Sequence, residues 1–400
     1  MVTTTAYYTD SRYRTNPGEG FDGVVRVSYG GYYGTGALLF SGHAILTATH
    51  LFASRSGSAS VMFETSSGTQ TSSVAKILQH PGYDAGSNND LAIVWLAGSA
   101  PQAATRYDIY RSNDEIGQPF TLVGYGQTGT GNTGATSTGT SSPIRLKATN
   151  AFDADTATLK SGLSSGMTWS PLAGTQLVAD FDNGTTAHDA LGRLLYRNGL
   201  GQGLDEGLIA PGDSGGPAFL NGDIAGVASY TTSLSTSSVA PDIDTSLNSS
   251  FGEIAAWQRV SAYQQWIDQS LRANYPNAPT KPDEVKREVS EGNGGTSYAY
   301  FLLQFTGVRS DPNQVLSVDY ATRDGTAFGG NDYLSVTSTL KLYPNENQAV
   351  IPVEIIGDAI PEHNEFFYLD VFNPVGGSFG EGVVKLTAVR TILNDDGFFG

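Results

Sequence analysis

The stretch Pro211-Gly-Asp-Ser-Gly-Gly-Pro217 places Ser214 among three glycines. Two earlier stretches carry the other reactive side chains, Leu46-Thr-Ala-Thr-His50 and Asn89-Asp-Leu-Ala-Ile-Val94. A serine hydroxyl becomes a good nucleophile when a histidine takes its proton, and an aspartate can hold that histidine in the required tautomer. Glycines let the backbone amides turn inward, toward a developing oxyanion. The three stretches therefore predict a site for nucleophilic catalysis.

The composition excludes several other classes of function. The chain has 400 residues, enough for two domains, and 22 basic residues against 39 acidic ones give a net charge of -17. This balance disfavours binding to nucleic acid or to anionic lipid, both of which attract basic surfaces. The absence of cysteine excludes disulfides, thiolate zinc sites and a cysteine nucleophile. No apolar run approaches the ~20 residues that span a bilayer, so we expect no membrane span.

The hydrophobic pattern predicts an all-β protein with two domains. Short apolar runs of period two, separated by Gly, Asn, Asp and Pro, dominate the chain. One helix is predicted from Ser261, where Ser261 and Gln264 fit a capping box. Three prolines then mark residues 274–284 as a stiff linker. Alternation resumes after it, so we expect a second β domain.

The first domain resembles the chymotrypsin/trypsin-like serine proteases. Gly212–Pro217 reads GDSGGP, and the order histidine, aspartate, serine matches that family, as do His80-Pro-Gly-Tyr83 and Val123-Gly-Tyr-Gly-Gln-Thr128. The resemblance covers residues 21–273, after an N-terminal extension of residues 1–20. It implies a double β-barrel of two packed six-stranded barrels, closed by a C-terminal helix.

The resemblance also implies the roles of the site residues. His50 would be the general base, Asp90 the orienting carboxylate and Ser214 the nucleophile, while Gly212 and Ser214 would supply the oxyanion-hole amides. The expected activity is that of a serine endopeptidase, which hydrolyses polypeptide substrates through an acyl-enzyme. No cofactor is expected for this chemistry. An inert protease fold that serves as a calcium-dependent adhesion or binding protein is the alternative.

The sequence departs from this family at its activated N-terminus. In activated members a new α-amino group pairs with the aspartate before the nucleophile, here Asp213, but the usual apolar residue followed by two glycines is absent. Either another group holds Asp213 or the site is incompletely formed. The family's disulfides are also absent, so burial of the core must stabilise the fold.

The substrate pocket is predicted from the same resemblance. Its base should lie six residues before Ser214, at Leu208, with Ser229, Tyr230 and Thr231 lining it. A leucine offers no partner to a buried ammonium or guanidinium group. Thr231 stands where large-pocket members have glycine, which indicates a shortened pocket. We therefore expect small or medium apolar residues before the scissile bond.

The second domain, residues 285–397, resembles the Calx-beta domain. The resemblance rests on Asp319–Ala327, Val353–Asp358, Pro361–Leu369 and Ile392–Asp396, which occur in the family's order. It implies a seven-stranded immunoglobulin-like sandwich that binds Ca²⁺ at one end in some members. A structural sandwich with solvated acidic loops is the alternative. The calcium ligands implied by the resemblance are Glu291, Asp332, Asp358, Glu362, Glu365, Asp395 and Asp396.

The location of the protein is inferred from the domain pairing. The first ten residues lack the basic and apolar regions of a signal peptide, so either the chain stays inside the cell or a leader has been removed. The pairing of the two domains and the lack of cysteine indicate a secreted bacterial protein. We therefore expect an extracellular or periplasmic location.

Overall fold

The computed structural model describes residues 2–136, 144–163, 166–197 and 199–397. They fold as two compact units. Unit one consists of the chain up to Leu39 together with His43–Gln264. Unit two consists of Phe40–Gly42 and the chain from Gln265 onward. Both units are built mainly of β-strands, as predicted, and no described helix is long and apolar enough to cross a membrane.

The first half of unit one is a closed barrel of six antiparallel strands in the order β2-β3-β4-β7-β6-β5. Its interior is filled by apolar side chains such as Val27, Ile45 and Phe63. Buried and less buried residues alternate along β5, whereas β4 and β7 are buried throughout. The strands up to residue 96 are β1 (Val2–Thr4), β2 (Val24–Tyr29), β3 (Tyr32–Leu38), β4 (Ala44–Thr47), β5 (Ala59–Thr65), β6 (Gly68–Gln79) and β7 (Ala92–Leu96).

The second half contains a seven-stranded sheet in the order β11-β8-β15-β16-β17-β13-β12 and a four-stranded sheet in the order β10-β9-β1-β14. Two helices accompany them, α1 (Thr156–Leu163) and α2 (Ala190–Leu195). The strands are β8 (Pro119–Gly124), β9 (Gly129–Thr130), β10 (Gly134–Ala135), β11 (Leu146–Ala151), β12 (Ala154–Asp155), β13 (Gln176–Asp180), β14 (Gly207–Ile209), β15 (Pro217–Leu220), β16 (Asp223–Thr232) and β17 (Ile254–Arg259).

The seven-stranded sheet curls into the second barrel of the predicted double β-barrel. Its edge strands, β11 and β12, are separated in the chain only by Phe152 and Asp153, so the two edges must come close together. If β11 and β12 are counted as one interrupted strand, this sheet has six strands, as predicted. In its core Phe152 stacks on Phe120, and Trp257 packs edge to face against both rings.

Residues 2–20, which the sequence analysis set apart as an extension, contribute to unit one. β1 pairs antiparallel with β14 and parallel with β9, and Val2 lies opposite Ile209. Val2 and Tyr13 are buried in the same core as Trp257. This segment therefore lies beside the strand that leads to Ser214.

The predicted helix is present as α3 (Val260–Arg272), with Tyr263, Ile267 and Leu271 buried along one face. The predicted capping box was wrong, because the helix begins one residue earlier. The Ser261 hydroxyl donates to Glu115 Oε1 at 2.6 Å, outside the helix, and the Gln264 side chain donates to the carbonyl of Ser261 at 2.9 Å.

Unit two is a β-sandwich of seven strands, as the resemblance implied. One sheet has the order β18-β24-β23-β20-β21, and β19 pairs with β22 in the other. Phe301, Ile351 and Phe367 lie in the core between them. The strands are β18 (Glu288–Ser290), β19 (Thr296–Gln304), β20 (Leu316–Asp324), β21 (Thr337–Leu342), β22 (Gln348–Ile356), β23 (Glu365–Val375) and β24 (Lys385–Leu393).

Candidate active site and carboxylate clusters

Ser214 lies in a tight loop between β14 and β15, and the loop requires glycine on both sides of the serine. Gly212 has a φ of 97° and Gly215 a φ of 81°. A Cβ on Gly212 would lie 2.8 Å from the Cα of Gly126, and one on Gly215 would lie 2.0 Å from Oγ1 of Thr47. Both the backbone angles and the close neighbours therefore exclude larger residues.

The amides of Gly212 and Ser214 are free to bind an anion. Within the described part of the chain, neither N–H donates a hydrogen bond. The loop is held by its carbonyls instead. The Ser214 carbonyl accepts from the amide of Thr35 at 2.8 Å, and the Gly212 carbonyl accepts from Oγ1 of Thr35 at 2.9 Å. Two unengaged donors near a nucleophile can stabilise a developing oxyanion.

His50 and Asp90 are joined by two hydrogen bonds. His50 lies in a 3₁₀ turn directly after β4, and Asp90 lies just before β7, the strand paired with β4. Nδ1 of His50 is 2.7 Å from Oδ2 of Asp90, and the His50 amide donates to Oδ1 at 2.8 Å. The Ser229 hydroxyl also donates to Oδ2 of Asp90 at 2.6 Å. These donors hold a carboxylate whose side chain has 0% exposure.

The loop of Ser214 packs against the segment that carries His50. A Cβ added to Gly215 would meet Oγ1 of Thr47 and the amide nitrogen of Ala48 at 2.0 and 2.8 Å, so the loop passes close to this segment. The Thr47 hydroxyl donates to the carbonyl of Thr35 at 2.7 Å. Among the described residues there is no hydrogen bond between Oγ of Ser214 and the His50 ring. In free enzymes this contact is often long and tightens only when substrate binds.

The Asp213 carboxylate accepts hydrogen bonds from two backbone amides. Its Oδ1 accepts from the amide of Gly126 at 2.8 Å, and its Oδ2 accepts from the amide of Ala210 at 2.9 Å. Burial raises the pKa of this carboxyl to about 6, and the amide of Ala210 opposes that rise. These contacts fix the backbone on both sides of Gly212, which positions the free amide of Gly212.

The predicted pocket residues lie on β14, which precedes the nucleophile loop, and on β16, which pairs with the strand that follows the loop. Leu208 is fully buried in β14, within the core that contains Val2. On β16, Tyr230 donates to Oε1 of Gln176 at 2.9 Å, and Thr231 is half-buried beside it. Their role in a substrate pocket stays a prediction.

Two contacts of the site escaped the sequence analysis. Ser229 was assigned to the pocket, whereas its hydroxyl reaches Asp90, and Thr35 connects the carbonyls of the nucleophile loop to β3. No local signal along β3 or β16 identifies the partners of these two side chains. Their partners lie 139 and 177 residues away in the chain.

The acidic residues of unit two form two clusters. Glu291, Asp395 and Asp396 each place one carboxylate oxygen within 4.8 Å of the others, and so do Asp332, Glu362 and Glu365. We call them the Glu291 cluster and the Glu365 cluster. Asp358 lies near both, since its charge raises the pKa of Glu291 and of Glu362 after the larger effect of burial. All seven predicted residues are therefore at one end of the sandwich.

The electrostatics of both clusters suit a cation. Burial, and then the neighbouring carboxylates, raise the pKa of Glu291 to about 7 and that of Glu365 to about 7. Oδ2 of Asp396 is buried without a hydrogen-bond partner among the described residues. A hard cation such as Ca²⁺ takes six to eight oxygens, so these donors fit it.

Comparison with known proteins finds matches for two segments of the chain. The Trypsin family matches residues 12–161, a span that includes His50 and Asp90 and ends before Ser214. Mouse neuropsin, "a serine protease expressed in the limbic system of mouse brain", is a solved structure similar to this chain. It shares 16% sequence identity with a TM-score of 0.45, and the alignment covers 65% of this chain and 98% of neuropsin.

The Calx-beta domain family matches residues 302–396. Human sodium/calcium exchanger 2 is 36% identical over 108 residues, which are 24% of this chain and 12% of the exchanger. The sodium/calcium exchanger Calx of Drosophila melanogaster is 36% identical over 91 residues, which are 22% of this chain and 9% of that protein. The chain thus spans only about a tenth of these relatives. The chain therefore carries a segment that matches the Trypsin family, within the β-barrel unit, followed by a segment that matches the Calx-beta domain family, within the β-sandwich.

Proposed function

We propose that the protein is a secreted bacterial serine endopeptidase that works through His50, Asp90 and Ser214. The observation that carries this proposal is the pair of hydrogen bonds between His50 and Asp90, next to a glycine-bounded serine with two free amides. This arrangement combines a base, its orienting carboxylate, a nucleophile and an anion site, which are the parts that acyl transfer requires.

In the first half of the reaction Ser214 attacks the substrate carbonyl. As the bond from Oγ to the carbonyl carbon forms, the hydroxyl proton passes to Nε2 of His50, while Asp90 stabilises the resulting imidazolium through Nδ1–H. The amides of Gly212 and Ser214 donate to the oxyanion of the tetrahedral intermediate. His50 then returns the proton to the leaving amine, and the acyl-enzyme remains on Ser214.

The second half repeats these steps with water as the nucleophile. His50 takes a proton from water, the hydroxide attacks the ester carbonyl, and Oγ of Ser214 leaves with the proton held on Nε2. Asp90 keeps one imidazole orientation through both halves, because its two oxygens accept three hydrogen bonds. The reaction needs no cofactor.

The proposed preference is for small or medium apolar residues before the scissile bond. Leu208 would form the base of the pocket, with Ser229, Tyr230 and Thr231 on its wall. A charged side chain would lose its water there without gaining a partner, which costs several kcal/mol. A peptide library with all residue types before the scissile bond tests this directly, and fastest cleavage after Lys or Arg would contradict it.

For unit two we propose calcium binding through the Glu291 and Glu365 clusters, with Asp358 between them. The clustered oxygens, their raised pKa values and the orphaned oxygen of Asp396 support this. A module of modest affinity suits an extracellular location, where such sites bind in the range of ~10⁻⁴–10⁻³ M.

The decisive experiment is covalent labelling of the full chain with a fluorescent fluorophosphonate. This reagent modifies only a serine that a neighbouring base has activated. We expect one label per chain, located on Ser214 by peptide mass spectrometry, and none in a Ser214→Ala variant. Replacement of the exposed Ser56 by alanine serves as the matched control and should leave labelling unchanged. A folded chain that takes up no label would favour the inert, calcium-dependent adhesion protein instead.

A further inference from the structure

Unit one contains a buried group of five carboxylates on elements that carry no part of the proposed reaction. We call it the Asp182 group, and it comes from four separate segments of the chain. One segment lies between β11 and β12, one spans the end of β13, one caps helix α2 and one precedes β14. The members are Asp153, Asp180, Asp182, Asp189 and Glu206.

Three members of the group have the spacing of ligands to one ion. Asp180, Asp182 and Asp189 are all buried, and each places a carboxylate oxygen within 4.8 Å of the others. Oxygens on one Ca²⁺ lie about 2.3–2.6 Å from it, so any two of them are at most ~5.2 Å apart. A single calcium ion could therefore contact all three carboxylates.

A second feature, independent of this spacing, also indicates a missing ligand. Asp182 is 5% exposed, and its Oδ1 is buried without a hydrogen-bond partner among the described residues. The neighbouring carboxylates are each held by an amide: Oδ2 of Asp180 accepts from Leu191 and Oδ1 of Asp189 accepts from Gly192, both at 2.6 Å. A buried charged oxygen without a donor is costly, and a bound cation removes that cost.

Nothing in the described residues neutralises the group. None of the five carboxylates forms an ion pair with a Lys, Arg or His side chain there. Burial and then the charge of Asp180 raise the pKa of Asp182 to about 10 and that of Asp153 to about 9. Burial raises the pKa of Glu206 to about 8. No described cationic side chain therefore compensates the buried carboxylates of this group.

We propose that Asp180, Asp182 and Asp189 bind one calcium ion within unit one, with Asp153 and Glu206 adding negative charge around it. The donors are all carboxylate oxygens, without the imidazole or thiolate groups that zinc favours. Three oxygens of flexible geometry suit calcium, whereas magnesium requires near-ideal octahedral coordination and keeps several waters. This proposal stands apart from the calcium clusters of unit two and from the proposed peptidase activity.

The ion would link the second barrel to the strand that leads to the nucleophile. Asp180 ends β13, Asp189 caps α2, and Glu206, whose Oε1 accepts from the amide of Asp182 at 2.8 Å, directly precedes β14. β14 runs into the loop of Ser214. Calcium would therefore stabilise the part of unit one that supports this loop, without contacting the reacting atoms.

The test measures calcium binding in the full chain after the sites of unit two have been weakened. The parent of this comparison is a triple variant with Glu291→Gln, Glu362→Gln and Glu365→Gln. It is treated with chelator, desalted and then titrated with CaCl₂ in an isothermal titration calorimeter. Adding Asp182→Asn should remove one ion per chain relative to that parent. Asp205→Asn, at an exposed neighbour of Glu206, is the matched control and should remove none. Equal stoichiometry with Asp182→Asn and with its parent would overturn the proposal.

A thermal melt separates a metal ligand from a structural carboxylate. In chelator, Asp182→Asn should melt at or above the temperature of the triple variant, because a neutral amide is buried there without the cost of neutralising a carboxylate, while its calcium-induced rise should be smaller. A carboxylate with only a structural role would lower the melting temperature equally with and without calcium, and that result would overturn the proposal.

Hydrogen exchange of the unmutated chain provides a test that requires no variant. Calcium should slow amide exchange in peptides covering residues 176–209, and magnesium at the same concentration should not. Exchange that calcium leaves unchanged in these peptides would exclude an ion there, and equal protection by magnesium would contradict the choice of calcium.

Discussion

The proposed active site of unit one and the two acidic clusters of unit two surround their carboxylates with opposite kinds of neighbour. Asp90 and Asp213 are buried carboxylates that face hydrogen-bond donors, and those of Asp213 include the amides of Gly126 and Ala210. Glu291 and Glu365 instead face other carboxylates. A carboxylate surrounded by donors can orient a histidine or a loop, whereas one surrounded by carboxylates requires protons or a cation.

The comparison predicts that the two regions fail independently, and the largest effect belongs to the nucleophile. Ser214→Ala should reduce kcat on a peptide substrate by up to ~10⁶, because the acyl-enzyme can no longer form. His50→Ala should cost nearly as much, and the double variant little more, since the residues act as a unit. Steady-state kinetics and circular dichroism of all three variants check this. Additive losses would show that the two residues act separately.

Replacing Asp90 should lower kcat much more than replacing Ser229, one of its hydrogen-bond donors. Asp90→Asn should lower kcat by about 10⁴, because an amide disfavours the His50 tautomer that accepts the serine proton. Ser229→Ala removes one hydrogen bond to a charged group, worth about 1.5–3 kcal/mol, so we expect a loss no greater than ~200-fold. The kcat of each variant is the measurement. Equal losses would mean that Ser229 does more than support Asp90.

Changes in the calcium clusters should affect stability and spare the chemistry. Calcium at about 100 times its Kd stabilises the bound protein by about 2.7 kcal/mol. Glu362→Gln with Glu365→Gln should diminish the calcium-induced rise in melting temperature and leave kcat at 25 °C unchanged. Glu381→Gln, an exposed acid of the same unit, is the control and should keep the full rise. Peptide cleavage that fails in the double variant would show that the two regions are coupled.

The smallest expected effect is a dependence on pH that calcium reverses. Glu291 and Glu365 have pKa values of about 7 in the fold, above the usual 4.5, so their protonated forms stabilise unit two. In chelator, stability should therefore be greatest below pH 4.5 and decline as the pH rises through about 7. With saturating calcium it should rise over the same range, because the ion displaces those protons.

Thermal melts at several pH values measure this dependence directly. A variant with Glu291→Gln and Glu365→Gln should show a flatter dependence in chelator, since both titrating groups are gone. An unmutated chain whose melting temperature in chelator is independent of pH would contradict the electrostatic comparison between the two regions.

The sequence alone was sufficient to predict the features that depend on residues adjacent in the chain. The loop of Ser214 could be predicted because the positive φ angles of Gly212 and Gly215 require glycine, whatever the rest of the fold contains. The strands followed from alternation, which records burial on one face of a sheet. The seven acidic residues of unit two were predicted because a family resemblance placed them in one set of loops.

Tertiary structure decided the features that depend on residues far apart in the chain. The partner of Ser229 is Asp90, 139 residues away, and that of Arg145 is Asp22, 123 residues away. The Asp182 group went unnoticed because its members are scattered from residue 153 to residue 206 in four segments. Local propensity and periodicity report whether a side chain is buried, but only the folded chain determines which charges are buried together.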